Sequence, residues 1–427
     1  MWQPRLFPAN CVPQQAVVRR DGDLLRIPEA IDTVPFTHGL HRFAGKFIPQ
    51  VVRYLMHTYL PAAPERRICD PFCGCGTTLV EAALAGRPFV GMDLDPLAVL
   101  IATAKTVPLT REEMKELASF WREHDYSRVQ PEVIPRVPRL HHWFTQEAVD
   151  QLSSIKYACN SLSPRTKLFS LVVLSSIIRR VSNADDQSHK TYVSHTLPKS
   201  PPLPSDMFPQ YLSRAIDGMR DYARALREAP RGWVWRGDAR LEMESMEFDD
   251  VITSPPYLAS IDYVYNTMLE YFWLLEELDI GSYEGYRRFR KQPMGFQVAD
   301  QNTPSAELRR ALGDQTGVLE ATIDEIARAR PQEAGAVVAF FLDFYNHILT
   351  TRARQRSGGM YLCVVGDSLV RGTRVPTTDL CEALFRGGGY ELVDRCHYEI
   401  KRHYMKFPRK SNSGKIKIDN ILVMRAR

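Results

Sequence analysis

An α/β fold with a doubly wound, mostly parallel sheet is predicted by three observations. From residue 66 the chain alternates strand, glycine-rich turn, helix, strand and helix. An acidic residue, Asp93, closes the second of these strands nineteen residues after a turn glycine, Gly74. Beyond residue 232 short apolar strands again alternate with helical stretches.

In chain order, RRICD is the first strand, PFCGCG the turn and TTLVEAALAG the helix; RPFVGMDLD and PLAVLIATAKTV repeat the pattern. A long helical stretch follows, in REEMKELASFW, TQEAVDQLSSIKYA and TKLFSLVVLSSIIRRVSN, whose apolar content predicts a buried helix. The proline-rich LPKSPPLPSDMFP reads as a linker before one more helix that ends near Arg227. Strands WVWRGDAR and DDVITSPPY come next, then an aromatic helix IDYVYNTMLEYFWLLEEL. Residues 281–330 are mixed and polar and carry no clear pattern. The helix AVVAFFLDFYNHILTTRA, strand GMYLCVVGDS, helix TTDLCEALFRGG and strands ELVDRCHYEI and IDNILVMRAR complete the count at seven strands. The expected organisation is 1–105 for the N-terminal segment and first half of the core, 106–231 for a mainly helical insertion, and 232–427 for the second half, with a polar insertion at 281–330.

The 427 residues hold 55 Lys+Arg and 50 Asp+Glu, with 44% hydrophobic and 25% charged content, which excludes disordered, collagen-like and disulfide-scaffold classes. The longest apolar stretch, 168–178, is shorter than the roughly 20 residues a bilayer span needs, and the opening MWQPRLFPAN has no signal-peptide layout, so a soluble, cytoplasmic protein is expected. Eight irregularly spaced cysteines make no disulfide framework. The net charge of +5 is unevenly spread: residues 395–427 carry ten Lys/Arg against Glu399 and Asp419. That local excess suits an anionic partner, and equally a solvated basic stretch.

Two motifs carry chemistry. In Asp70-Pro-Phe-Cys-Gly-Cys-Gly76, the glycines at 74 and 76 permit a sharp turn and close approach to a ligand, and the helix that starts near Thr77 offers backbone N–H groups. Asp93 at the next strand end can accept the two hydroxyls of a ribose, so the pair indicates a nucleoside-containing cofactor. The third glycine of a dinucleotide fingerprint is missing and no GxxxxGK[ST] occurs, which disfavours NAD and ATP. Cys73 and Cys75 lack the usual metal-ligand spacing and a second pair, so no metal is expected. In Thr253-Ser-Pro-Pro-Tyr257, two prolines fix the backbone and remove two donors, leaving carbonyl oxygens and the Ser254 hydroxyl as acceptors for an exocyclic NH2. Tyr257 can stack on a base rotated out of a duplex.

DPFCGCGTTLVEA, GMDLDP and TSPPY together resemble the S-adenosylmethionine-dependent DNA amino-methyltransferases, and the serine of SPPY resembles the cytosine-N4 type. The resemblance extends to HRFAGKFIPQ and GDAR and implies a Rossmann-like class I methyltransferase core. It implies a cofactor pocket of Phe43, Lys46, Phe47, Pro49, Asp70, Phe72, Gly74, Gly76, Thr77, Thr78, Asp93, Leu94, Asp238 and Ala239, with Asp93 on the ribose and Asp238 on the adenine amino group. Ser254, Pro255, Pro256 and Tyr257 become the catalytic loop, S-adenosylmethionine the cofactor and double-stranded DNA the partner, with a companion restriction endonuclease a candidate that the sequence does not decide. The helical insertion between GMDLDP and GDAR departs from the family pattern and is a candidate target-recognition region.

Adenine-N6 methylation, RNA or protein amine methylation, and a catalytically silent DNA-binding subunit are the alternatives. Carbon-5 methylation is not, because no cysteine lies in the catalytic loop. Candidate phosphate-binding residues are Arg287, Arg288, Arg290 and Lys291, then Lys401, Arg402, Lys406, Arg409 and Lys410, and at the end of the apolar helix Arg179, Arg180 and Asn183.

Overall fold

The computed structural model describes residues 18–28, 32–186, 190–194, 196, 198–241, 243, 247–258, 262–294, 302–400 and 418–427. Its strands are β1 (Arg19–Asp21), β2 (Leu24–Arg26), β3 (Ile68–Asp70), β4 (Phe89–Asp93), β5 (Gly232–Arg236), β6 (Asp250–Thr253), β7 (Met360–Val365), β8 (Ser368–Val370), β9 (Thr373–Val375), β10 (Tyr390–Glu399) and β11 (Ile418–Ala426). Nine of them form one sheet in the order β1-β2-β10-β11-β7-β6-β3-β4-β5, and β8 and β9 form a separate hairpin. The pairs β3–β4, β4–β5, β3–β6 and β6–β7 are parallel, whereas β11 runs antiparallel to both β7 and β10.

All seven expected strands are present, and the fold is Rossmann-like α/β with a mostly parallel sheet. The sheet is wider than the seven strands predicted, because the β1–β2 hairpin adds to the β10 edge, where His397 faces Leu24. At three residues each, RRD and LLR are too short to carry an alternation that a sequence reading could detect.

Central strands alternate side chains between two cores, as a period of two requires. Ile68, Phe89, Ile252, Leu362 and Val423 point into one apolar cluster, and Cys69, Val90, Val251, Cys363 and Leu422 into the other. The first face is covered by helices Pro49–Tyr59, Thr77–Leu84 and Pro96–Thr106 and then by Arg111–Glu123, Gln146–Ala158, Pro164–Ile178 and Pro204–Ala225. The helical stretch after residue 106 thus shares the core of the sheet; Trp121, Phe169 and Tyr222 are fully buried in it.

Two boundaries differ from expectation. The proline-rich segment is already helical from Pro204, with Pro204 in the first turn and Pro209 inside the helix. The fixed φ of proline suits a helix start, so a proline cluster there does not exclude one. The aromatic stretch after Asp262 is two short helices, Tyr263–Asn266 and Met268–Trp273, separated at Thr267. Residues 281–330, which had no pattern, include helices Tyr283–Phe289, Ala306–Leu312 and Thr316–Ala329. Among the described residues no helix is long and apolar enough to cross a membrane.

From β3 the chain proceeds outward to β4 and β5, then returns to β6 and proceeds the other way to β7. The order therefore reverses between β3 and β6, and a crevice opens outside the carboxyl ends of those strands.

Candidate active site

At that reversal lies a cleft of about 980 Å3, counting space open to solvent. The turn after β3 forms its floor. Gly74 has φ +48° and Gly76 φ +78°, a region that side chains rarely adopt. A Cβ on Gly76 would lie 2.9 Å from Ala102, so the helix Thr77–Leu84 approaches Pro96–Thr106 closely only because this residue is glycine. The Gly74 N–H donates to Asp93 Oδ2 at 2.8 Å, and the Asp95 N–H donates to Asp93 Oδ1 at 2.9 Å. Burial, with the neighbouring Asp95 charge adding to it, pushes the Asp93 carboxyl up to about 7 against those two N–H bonds.

Phe43, Lys46, Phe47, Asp70, Phe72, Gly74, Thr77, Thr78, Asp93, Leu94, Asp238 and Ala239 all line the cleft, as expected from the sequence. Pro49 and Gly76 do not. Pro49 is buried at the first position of its helix, and Gly76 precedes Thr77–Leu84. The Lys46 ammonium donates to the carbonyls of Thr33 at 2.7 Å and His38 at 2.9 Å, which ties the loop carrying Phe43 and Phe47 to the preceding segment. Burial pulls its pKa down to about 8. Asp238 accepts from Arg240 through both oxygens, at 2.8 and 2.6 Å, and Arg240 reaches on to Asp343 at 2.9 Å. Burial pushes the Asp238 carboxyl up, but the Arg240 bonds outweigh it and hold the group below its ordinary value.

Ser254 and Pro256 open onto the same cleft from the carboxyl end of β6. Pro255 is buried, and the half-buried Tyr257 turns its hydroxyl to Asp419 Oδ1 at 2.8 Å; neither lines the cleft. Tyr263, Val264, Arg240, Pro293 and Met294 line it as well and were not singled out in the sequence. Arg240 lay within the GDAR segment already noted, whereas Tyr263, its ring near-parallel to Phe43 at 6.3 Å, and Met294 arrive from segments with no local signal.

The basic candidates separate. Arg179 donates to the carbonyls of Asn266, Asp185 and Lys190, and Asn183 Nδ2 donates to the His142 carbonyl, whereas the exposed Arg180 pairs with Asp186 at 2.9 Å. Arg290 pairs with Asp262 and covers the Tyr265 ring at 4.6 Å. Arg287, beside Glu284, is exposed, as are Arg288 and Lys291. Lys401, Arg402, Lys406, Arg409 and Lys410 lie outside the described residues; the strands on either side pair with Glu399 facing Ile418.

Residues 52–119, which span the turn and Asp93, match the family described as RMKL-like, methyltransferase domain. Over 418 residues the chain is 24% identical to "Type II methyltransferase M.MvaI" of Kocuria varians, covering 91% of this chain and 89% of that one. The chain is a methyltransferase. A shorter match, 38% over 80 residues, joins 19% of it to 15% of "Type II methyltransferase M.MjaII" of Methanocaldococcus jannaschii. Two solved structures overlap this methyltransferase. TrmN from Thermus thermophilus does so with TM-score 0.29 and 11% identity, over 90% of this chain and 50% of that one. The rRNA methyltransferase aviRa from Streptomyces viridochromogenes does so with TM-score 0.31 and 10% identity, over 90% and 88%.

A methyltransferase implies S-adenosylmethionine as methyl donor, and the cleft has the groups to hold it. Asp70, Asp93, Asp95 and Asp238 place acceptor carboxyl groups around a space walled by Phe43, Phe47 and Phe72, a lining suited to a cationic, hydroxyl-bearing, partly aromatic molecule. A Cβ on Gly74 would stand 3.3 Å from the Phe43 ring, in the same confined space.

Proposed function

We propose that this methyltransferase acts on DNA and methylates an exocyclic base amine, N4 of cytosine. The observation that carries the reading is the shared cleft: Ser254 and Pro256 open onto the space lined by Gly74 and Asp93. The named function of the Kocuria varians relative, matched over most of both chains, supports DNA as substrate, and the serine of SPPY supports cytosine N4.

In this reading Gly74 and the neighbouring turn approach the methionine part of the cofactor, Asp93 accepts from the ribose and Asp238 faces the adenine. When bound, S-adenosylmethionine supplies an electrophilic methyl on sulfur. The amine of a pyrimidine is a weak nucleophile because its lone pair is delocalised into the ring. Ser254 Oγ and the Pro255 carbonyl accept its two N–H bonds, which draws the nitrogen toward tetrahedral geometry and localises the pair. Prolines 255 and 256 fix those acceptors before substrate arrives, so positioning supplies much of the rate. A base reaches Ser254 only by leaving the duplex; held against the 254–257 loop beside the cofactor cleft, it would be stacked by the ring of Tyr257.

The test is nucleoside mass analysis of unmethylated DNA incubated with the protein and methyl-labelled S-adenosylmethionine. N4-methylcytosine is the expected product. N6-methyladenine would reassign the base, and label in RNA or protein only would reassign the substrate.

A further inference from the structure

Ser254, Tyr257 and Asp419 form a chain of hydrogen bonds that ends on a carboxylate. The Tyr257 hydroxyl donates to Asp419 Oδ1 at 2.8 Å. Ser254 hydrogen-bonds to the Tyr257 oxygen. Tyr398, directly opposite Asp419 on the neighbouring strand, bonds to the same carboxylate. Asp419 is 8% exposed, at the start of β11, 162 residues from the tyrosine it holds.

The direction of this chain follows from counting protons. An ionised carboxylate has lone pairs and no hydrogen, so a tyrosine hydroxyl beside it can only donate. Tyr257 has a single hydroxyl proton, and that proton is committed to Asp419. Its oxygen then serves Ser254 as an acceptor, and the serine proton turns away from the cleft toward Tyr257. What Ser254 presents to the cleft is lone pairs.

We propose that Asp419 is a positioning residue that sets the polarity of the Tyr257–Ser254 chain and so makes Ser254 an obligate acceptor for an N–H of the target amine. The proposal rests on the reading of Ser254 given under Proposed function. Its chemical point is that an untethered serine hydroxyl rotates, and an orientation that donates to the amine would engage the lone pair that must attack. Burial pushes the Asp419 carboxyl up, and the bonds from Tyr398 and Tyr257 oppose that shift, favouring the ionised form that the polarity requires.

The experiment has two parts. Methyl transfer to DNA from a methylation-deficient host is measured for wild type, Asp419→Asn, Tyr257→Phe and the double variant. Asn preserves shape while offering an amide N–H that can reverse the chain. The expected result for Asp419→Asn is a fall in kcat of roughly tenfold or more, the scale of one hydrogen bond to a charged group, with S-adenosylmethionine affinity unchanged. The double variant should lose no more than the worse single variant. Unchanged kcat in Asp419→Asn, or losses that multiply in the double variant, overturn the proposal. In the second part, 3-fluorotyrosine is placed at position 257 and its fluorine resonance is compared with and without Asp419→Asn, in the absence of any nucleic acid. The resonance should shift; an identical spectrum overturns the link to Asp419. If wild type does not methylate DNA, the function reading fails by itself, and the fluorine comparison still decides whether Asp419 governs the Tyr257 hydroxyl.

Discussion

The Thr253 hydroxyl donates to Asp70 Oδ1 at 2.7 Å, a bond between residues 183 apart in the chain. It joins the carboxyl end of β3, where the glycine turn begins, to the carboxyl end of β6, one residue before Ser254. The same Asp70 oxygen accepts the Phe72 N–H at 3.2 Å, so a single buried carboxylate ties the turn to the strand that leads into Ser254.

Thr253→Val removes the donor while keeping the shape. The partner carboxylate stays buried with one bond fewer, and stability should fall by roughly 1 to 3 kcal/mol, the cost of an unsatisfied buried polar group. Urea unfolding measures it, and a change near zero would show that Asp70 finds another donor.

Cofactor affinity should depend on pH through Asp93. Its carboxyl is pushed up to about 7, so it is an acceptor above that pH and takes up a proton below it. Titration calorimetry with S-adenosylmethionine should show affinity falling as pH drops from about 8.5 to about 6, with the slope absent in Asp93→Ala. At high pH that variant should bind more weakly by roughly 1.5 to 3 kcal/mol. For the protein without cofactor the sign is opposite. A carboxyl raised by folding contributes stability that is present below its ordinary value near 4 and lost as pH rises toward 7.

Ser254→Ala should divide binding from chemistry. Cofactor affinity stays within about twofold of wild type, while methyl transfer falls by roughly 10- to 100-fold for the lost acceptor. Equal loss in both measurements would move Ser254 out of contact with the target amine.

Salt dependence locates the phosphate contacts. Arg288 and Lys291 are exposed near the cleft wall made by Pro293 and Met294. Changing both to Ala should flatten the slope of log affinity against log salt by up to about two units, since each phosphate contact contributes about 0.9. The same measurement on Arg409→Ala with Lys410→Ala tests the basic stretch 401–417. The pair that leaves the slope unaltered is not on the phosphate backbone.

What the sequence made legible were features confined to a few consecutive residues. DPFCGCG, the DLD that ends β4, and TSPPY each depend on local backbone geometry, and each lies at a strand end around the cleft. Features that depend on distant segments meeting were not legible. Tyr263 reaches the cleft because a short helix breaks at Thr267 and packs near Phe43, and Met294 arrives from a stretch with no periodicity. Arg179 and Asn183, read as nucleic-acid contacts, also bond backbone carbonyls of distant segments, which composition does not reveal.

The antiparallel placement of β11 has a consequence for synthesis. β11 pairs with β7 on one side and β10 on the other, so it is an interior strand of the sheet even though it follows every other strand in the chain. Until residues 418–426 have left the ribosome, the β7 edge stands open and β10 lacks its principal partner. The parallel half, β3 to β6, can assemble early from segments already made, but the sheet becomes continuous only with the final strand. That strand also brings Asp419 to Tyr257. A nascent chain therefore gains the tether on its 254–257 loop at the step that closes its sheet, and a chain cut short before β11 would lack both.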